Sequence, residues 1–578
     1  MVDSRTAAHL LTQVAAFLEL TGDSAFKARA YAQAARTILA LEADDLRPLL
    51  ERGELAKLPG IGPATLSVLR ELVETGESRY LERLREGTPE GLLEMLRIPG
   101  LGLSKIRRIH EGLGVETVQA LEEACRDGRV AALPKFGPKT AEKILKGIAF
   151  LRATGSRELN PPATAEGERL LALLRAHPPV DEAALAGSIR RRLETIGDVD
   201  LVAACDDPRA VAASVARGPG VRTVVGAGSA SVGITWVDGR RLDLHCVTPP
   251  CFAPALWRAT GNDAHVAQVL AVLEGRGLTM RGDELLDARG AAVPVPDEAA
   301  LYAAAGLAWI PPELREGRGE VEAAAHGELP VLLTEDDIAG VLHCHSDYSD
   351  GSVSIEAMAR AARARGWRYL GISDHSESAF YAGGVKADAI LRQHEEIDAL
   401  NASLAGEGFR VLKGIEADIL QDGRIDYDEG ILARFDYVIG SVHSRFNMDG
   451  AAMTARVLTA LDSPFLTILG HPTGRLLLAR EPYDIDMRAV LEKAAARRVA
   501  VELNADPHRL DLDWRMLREA RDLGVTIEIG PDAHSPGGLD YMRTGVGIAR
   551  KGWLRAADVL NTRDADAVIA FARARLTS

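Results

Sequence analysis

Between residues 340 and 535, histidines and acids recur at the ends of short apolar runs, and this recurrence constrains the fold more than any other feature of the chain. His343-Cys344-His345 closes one run and Asp350 follows in a loop. Asp374-His375 closes the next, then Glu416, His443 and His471 each close one, and Asp532-Ala533-His534 closes the last. Residues two apart on a strand share a face, so the paired ligands point the same way and Cys344 points away. The runs 340–345, 369–373, 410–415, 437–443, 467–471, 500–504 and 526–530 alternate with amphipathic helical stretches. That alternation predicts a parallel (β/α) barrel, in which residues at the C-terminal strand ends meet at one mouth. Imidazole and carboxylate without thiolate suit zinc, manganese or iron. A single buried histidine is more often structural than a ligand, but His343, His345, Asp350, His375, Glu416, His443, His471, Asp532 and His534 are too many for one ion. Two or three metals, with Glu416 able to bridge a pair, suit phosphoester hydrolysis. Lys413, Arg445 and Arg475 lie close enough in sequence to strand ends to be candidates for holding a substrate phosphate.

A second acidic constellation lies near the middle. Gly187-Ser188-Ile189-Arg190-Arg191 precedes Gly197-Asp198-Val199-Asp200, whose alternating carboxylates project from one strand face. Asp243, in the apolar run Arg241-Leu242-Asp243-Leu244, is the natural third acid. Three such carboxylates hold divalent cations, Mg²⁺ or Mn²⁺, that activate a 3′-hydroxyl and stabilise leaving pyrophosphate. Ser188 supplies a hydroxyl donor and Arg191 a planar fork for the oxygens of an incoming triphosphate.

The first 150 or so residues read as helical, broken three times by one pattern. The breaks are Leu58-Pro59-Gly60-Ile61-Gly62, Ile98-Pro99-Gly100-Leu101-Gly102 and Leu133-Pro134-Lys135-Phe136-Gly137. Glycines permit a tight turn, and the N–H groups of the helix that follows can bind a phosphate oxygen without reading sequence. Gly60, Gly62, Gly100, Gly102, Lys105, Gly137 and Lys139 are therefore the candidate DNA contacts. No acid intervenes between Arg97 and His110, and Lys139, Lys143 and Lys146 follow the third break, where Lys135 replaces a glycine.

The net charge of −15 over 578 residues argues against a uniformly basic nucleic-acid coat, while local patches still permit DNA binding. Five scattered cysteines without a CxxC pair exclude a disulfide framework and fit a reducing compartment. No apolar run reaches transmembrane length and residues 1–21 lack a signal-peptide core, so a cytoplasmic location is expected. Asn160-Pro161-Pro162-Ala163-Thr164-Ala165 reads as one linker and the Glu-, Ala- and Gly-rich stretch from Gly317 to Pro330 as another.

On the motifs at 58–63, 98–103 and 187–200 with Asp243, residues 1 to about 320 resemble the family X DNA polymerases. On its metal ligands, the segment from about 335 to 575 resembles the polymerase-and-histidinol-phosphatase (PHP) family. The domain order resembles that of bacterial family X polymerases. The resemblance implies a multidomain chain: an N-terminal helical DNA-binding domain with a helix–hairpin–helix (1–80), fingers with helix–hairpin–helix repeats (81–155), an α/β nucleotidyltransferase palm (156–247), a thumb (248–320), a linker (321–334) and a distorted (β/α) barrel (335–578). It implies Asp198, Asp200 and Asp243 as polymerase carboxylates and Gly187, Ser188, Arg191, Gly197 and Gly261 as nucleotide contacts. In the barrel it implies one ion on His343, His345, Glu416 and Asp532, a second on Glu416, His443 and His471, and a third on Asp350, His375 and His534.

The implied activity is gap-filling DNA synthesis in repair, joined to metal-dependent 3′-5′ exonuclease or 3′-end phosphoesterase chemistry. Gapped or nicked duplex DNA and deoxynucleoside triphosphates would be the partners of a monomer. The family's Tyr-Phe-Thr-Gly stretch reads Arg258-Ala259-Thr260-Gly261 here, Val266 stands where an asparagine is frequent, and Val68 where the lyase lysine would align. Little lyase activity is expected, because Schiff-base chemistry needs an amine. Two alternatives stay open: a DNA-binding nuclease with a weak palm, and a small-molecule phosphatase.

Overall fold

The computed structural model describes residues 4–20, 24–39, 41, 45–75, 78–86, 89, 91–96, 98–155, 157–218, 221–236 and 239–576. Arg97, Thr21 and the first three residues, on which parts of the sequence reading fall, lie outside them. The chain divides into two compact units, one of residues 1–157 and 209–244, the other of 158–208 and 245–578. The boundary crosses the strand Arg241–Val247, so the expected palm contributes to both units. Among the described residues no helix is long and apolar enough to cross a membrane.

The first unit is helical over most of its length. Helices Ser4–Leu20, Ala25–Leu39 and Pro63–Thr75 enclose an apolar cluster with Phe17, Leu18, Ile38, Leu55, Leu69 and Leu72 at its centre. A second cluster, with Met95, Ile106, Ile109, Leu121 and Ile148, lies under helices Leu103–Leu113, Val118–Arg126 and Pro138–Thr154. Each predicted break is a turn running into a helix. Gly60 (φ +79) and Gly100 (φ +77) take the left-handed conformation that glycine makes inexpensive. At the third break Lys135 adopts the same region (φ +68), so the turn keeps its form without the glycine. The antiparallel strands Val221–Val225 and Ser231–Trp236 complete the unit.

The second unit begins where the sequence suggested a linker. Asn160-Pro161-Pro162 instead opens the helix Asn160–Arg175, because proline in a first helical turn lacks only an N–H that would have had no partner. Strands Glu182–Leu185 and Val199–Ala204 pair antiparallel beside that helix. The thumb helices Phe252–Thr260, Asp263–Gly275 and Glu298–Ala304 close over Trp257, Val269, Leu273, Leu301 and Tyr302. The stretch from Gly317 onward, also expected as a linker, contains the helix Glu320–His326. Val321, Ala323 and Ala324 are buried in the thumb core, and the Glu320 carboxylate accepts from His265 Nδ1 at 2.7 Å and from the N–H groups of Gly317 and Arg318. Val321 and Ala324, three apart, share the packed face of this helix within a stretch whose composition is polar.

The predicted barrel is present. Strands Gly340–Val341, Tyr369–Ile372, Arg410–Asp418, Tyr437–Ser441, Ile468–Leu469, Ala500–Asn504 and Ile527–Gly530 form a seven-stranded parallel sheet in sequence order. A parallel bridge between Cys344 and Ala533 brings its first and last edges together. Both faces are buried, as a parallel sheet requires, with apolar clusters on them and buried polar side chains such as Glu502 and Glu528 within the strands. Cys344 packs in the outer core with Val341 and Ile372, away from the mouth as expected.

Candidate functional site

The C-terminal ends of the barrel strands carry the expected ligands to one place. The first strand stops at Val341 and extended backbone delivers His343 and His345, both fully buried. The third strand runs through Glu416 to Asp418. His471 (φ +22) and Asp532 (φ +51) have left-handed backbone, strain of the kind that functional sites retain when their surroundings over-determine it.

Three ligand groups form. His345, Asp350, His375 and His534 make one, His343, His345 and Asp532 a second, and His375, Glu416 and His443 a third. His345 and His375 are thus shared, where the sequence reading used each once. Glu416 is central: its Oε1 lies 3.0 Å from His471 Nε2, 3.2 Å from His443 Nε2 and 3.4 Å from His343 Nε2. His534 Nε2 stands 3.2 Å from Asp350 Oδ1, and His345 Nε2 3.3 Å from Asp532 Oδ1.

The donor set fits divalent cations. His343 Nε2, both ring nitrogens of His345 and Glu416 Oε2 are buried without a hydrogen-bond partner. Orphaned polar atoms at such density are costly unless something fills the space between them. Electrostatics agree. Burial holds the His345 and His471 imidazoles down at about 3, neutral and able to donate a lone pair. Burial also pulls on His443, but Glu416 and Asp418 outweigh it and raise the ring to about 9. Burial pushes Glu416 up, yet His443, His375 and His343 hold it well below the usual carboxylate range.

Several residues behind the ligands escaped the sequence reading. Glu502 accepts from His343 Nδ1 at 2.5 Å, and Asp418 faces His443 Nδ1 at 2.7 Å. Such carboxylates fix the tautomer that turns the other ring nitrogen towards a metal. An acid inside the apolar run Val499–Leu503, and another two residues past Glu416, were the available signals. Asp374 is no ligand. It is buried, accepts from Ser346, Ser349 and Gln393, and so ties down the loop that carries Asp350.

The phosphate candidates change. Arg475 is occupied by Asp513 at 2.8 Å and by the carbonyls of Arg509 and Leu510, and Lys413 by Asp398 at 2.6 Å. Arg445 has left-handed backbone (φ +60), and no side-chain hydrogen bond or ion pair is described for it. Arg509, not anticipated, lines the cavity of about 350 Å³ over the ligands, 3.3 Å from Asp532 Oδ2.

The second unit also holds the Gly-Ser turn. Gly187 (φ +56) lies so close to Asp200 that a Cβ would stand 1.7 Å from Oδ2. Ser188 Oγ is buried without a hydrogen-bond partner. Arg191 Nε reaches Glu316 at 2.9 Å and its Nη1 the carbonyl of Thr260 at 2.7 Å, while Arg190 is bidentate to Glu298. Both arginines therefore fasten the turn to the thumb. Gly197 and Asp198 form the bend before the strand that carries Asp200, and Gly261 ends a thumb helix under His265. Arg258 stands 3.4 Å from Asp283. Asp243 belongs to the first unit, beside Gly233.

In that first unit Gly60, Gly62, Gly100, Gly102, Lys105 and Lys139 are exposed and Gly137 half-buried. Gly102 and Gly137 cap the helices that follow them, and Lys105 Nζ rests on the carbonyl of Gly100 at 2.9 Å. Lys146 pairs with Glu142. Val68 is buried in the first apolar cluster.

Comparison with known proteins accounts for the same segments. Family models match a helix-hairpin-helix domain at residues 4–78, a SAM-like helix-hairpin-helix tandem at 92–149, a DNA polymerase beta thumb at 255–316 and a PHP domain at 342–506. Probable phosphatases from Caldanaerobacter subterraneus subsp. tengcongensis and Thermoanaerobacter sp. strain X514 are 29% and 26% identical. They align with 33% and 38% of this chain and with 74% and 89% of their own. The DNA polymerase/3′-5′ exonuclease PolX of Bacillus subtilis strain 168 is 39% identical across 97% of this chain and 98% of its own, and the chain belongs to that PolX family.

Proposed function

We propose that this chain extends DNA 3′ ends at gaps and also trims them, with separate centres for the two reactions. The observation that carries the trimming activity is the convergence of imidazoles and carboxylates around Glu416 at the barrel mouth, in a chain that also carries helix–hairpin–helix turns. Divalent cations at such a cluster neutralise a phosphodiester and lower the pKa of an attacking water. His343, His345, Asp350, His375, Glu416, His443, His471, Asp532 and His534 hold them, as Mn²⁺, Zn²⁺ or Fe²⁺. Glu502 and Asp418 orient the imidazoles, and Arg509 draws the scissile phosphate into the cavity.

For synthesis the assignment rests on the sequence motif. Asp198, Asp200 and Asp243 are the carboxylates for Mg²⁺ or Mn²⁺. The Gly187 turn and Ser188 receive the triphosphate of a deoxynucleotide, with Gly197 and Gly261 allowing close approach, while Arg191, a phosphate candidate by sequence, braces the turn through Glu316. The exposed turns at Gly60, Gly62, Gly100, Gly102 and Gly137, with Lys105 and Lys139, hold the phosphate backbone of gapped or nicked duplex. We read the active form as a monomer.

A 5′-labelled primer in a gapped duplex, incubated with manganese with and without deoxynucleotides, tests both halves. Extension should vanish in Asp198→Ala and shortening in His343→Ala, each leaving the other reaction intact. Shortening alone in the parent chain would leave the palm as a DNA holder, the outcome to which Arg258-Ala259 in place of an aromatic pair would contribute.

A further inference from the structure

The metal cavity has an aromatic rim that the mechanism above does not use. Phe380 and Tyr381, neighbours in the chain, are 86% and 70% exposed. Tyr381 lines the cavity over the ligands, its ring centroid 6.1 Å from that of His375 and 6.1 Å from that of His443. Large apolar side chains exposed together normally mark a surface that something covers.

Their backbone is held in place. The short helical turn Phe380–Ala382 is flanked by Ala379 and Val385, both buried. Val385 N–H donates to the carbonyl of the ligand His375 at 2.8 Å, and Ala379 N–H to Ser376 at 2.9 Å. Ser378 N–H donates to Asp426 at 2.9 Å. The rings are thus mounted on a segment tied to a ligand-bearing strand end, and their exposure is built into the fold.

The same cavity is also lined by Arg509 and the exposed His508. A cavity lined by the candidate metal ligands, a guanidinium and a flat ring matches the parts of a nucleotide, phosphate at the charged groups and base at the ring. A small phosphate ester would leave the ring uncovered. Stacking of a base on an aromatic side chain tolerates any base, as trimming without sequence preference demands.

We propose that Tyr381, with Phe380 extending the apolar surface, is the stacking platform for the unpaired nucleobase of the 3′-terminal nucleotide at the barrel site. This rests on the 3′-trimming reading above and specifies its substrate: a strand end whose last base is free of its complement. Tyr381 acts by binding the base and takes no part in the chemistry.

The test uses the full chain with manganese and two 5′-labelled single strands, one ending in a normal nucleotide and one in a tetrahydrofuran abasic residue. Tyr381→Ala should raise KM for the normal end by about tenfold, the size of one lost stacking contact, with kcat unchanged. The abasic end should show that high KM already in the parent and be indifferent to the substitution. Tyr381→Trp should restore tight binding of the normal end. Equal losses on both ends, or no loss on either, would overturn the platform while leaving trimming established. Absence of shortening of either strand by the parent chain would overturn the trimming reading and the platform with it.

Discussion

Glu502 Oε1 lies 2.5 Å from Nδ1 of His343, and the other oxygen of the same carboxylate accepts the backbone N–H of His471. One buried acid therefore sets the ring of one ligand and the main chain of another. Replacing Glu502 by Gln keeps the size and removes the charge that fixes the His343 tautomer. We expect manganese affinity and trimming to fall about 10- to 100-fold, the usual cost of losing such a support, while extension persists. Metal titration of the metal-free variant measures this, and parental affinity would refute the assignment.

Gly187→Ala is expected to slow synthesis selectively. The new Cβ would collide with the Asp200 carboxylate at 1.7 Å, and the backbone there is left-handed. Either the turn or the carboxylate must move, and a shift of about 1 Å at a reacting centre costs on the order of 100-fold in rate. Extension of a gapped primer should drop by that much and shortening should not. Equal losses in both would point to general unfolding.

Acid should loosen the thumb through Glu298. Burial pushes this carboxyl up, but hydrogen bonds from Arg190 and Arg315 outweigh it and hold it below its ordinary value of 4.5. A depressed folded-state pKa stabilises the protein above the unfolded value, and that stability is lost as pH falls below 4.5 through the folded pKa. Melting temperature followed between pH 6 and pH 3 should fall less steeply in Glu298→Gln than in the parent. Superimposable pH profiles would remove Glu298 as the cause.

Lys551 is a buried clasp. Its Nζ donates to the carbonyl of Arg191 at 3.0 Å and to Glu316 at 2.5 Å, and lies 4.4 Å from the centre of the Trp514 ring. Removing one partner of a buried pair costs about 3–5 kcal/mol when the other charge is left buried alone. Glu316 keeps Arg191 at 2.9 Å, so Lys551→Met should cost less than that in urea unfolding. Glu316→Gln should cost less in the Lys551→Met background than in the parent. Simple additivity of the two losses would show that the pair is not coupled.

Much of this was legible in the chain. The alternation of apolar runs with ligands at their ends specified the barrel and its mouth, because strand direction fixes where each run's last residue emerges. What the sequence hid was tertiary. Glu502 and Asp418 lie in strands whose partners come from 159 and 25 residues away, so their pairing with His343 and His443 has no local signature. Arg475 looked like a phosphate ligand because its neighbour in space, Asp513, is remote in sequence. Composition misread 160–165 and 317–330 as linkers, since proline can open a helix as well as end one, and a short helix needs only a few apolar residues to pack. Lys135 shows the converse: the turn survived the loss of its glycine, and pattern alone had left that unsettled.

Trp553, two residues past the barrel helix Tyr541–Lys551, sits in the thumb's apolar core, and Lys551 at the end of that helix fastens Glu316 and Arg191. A chain truncated before residue 335 would lose more than one activity: its thumb would be missing a wall. The nuclease is thus part of the polymerase's own scaffolding, and a lineage that stopped needing to trim would still have to keep the barrel, or rebuild the surface it covers, in order to go on synthesising.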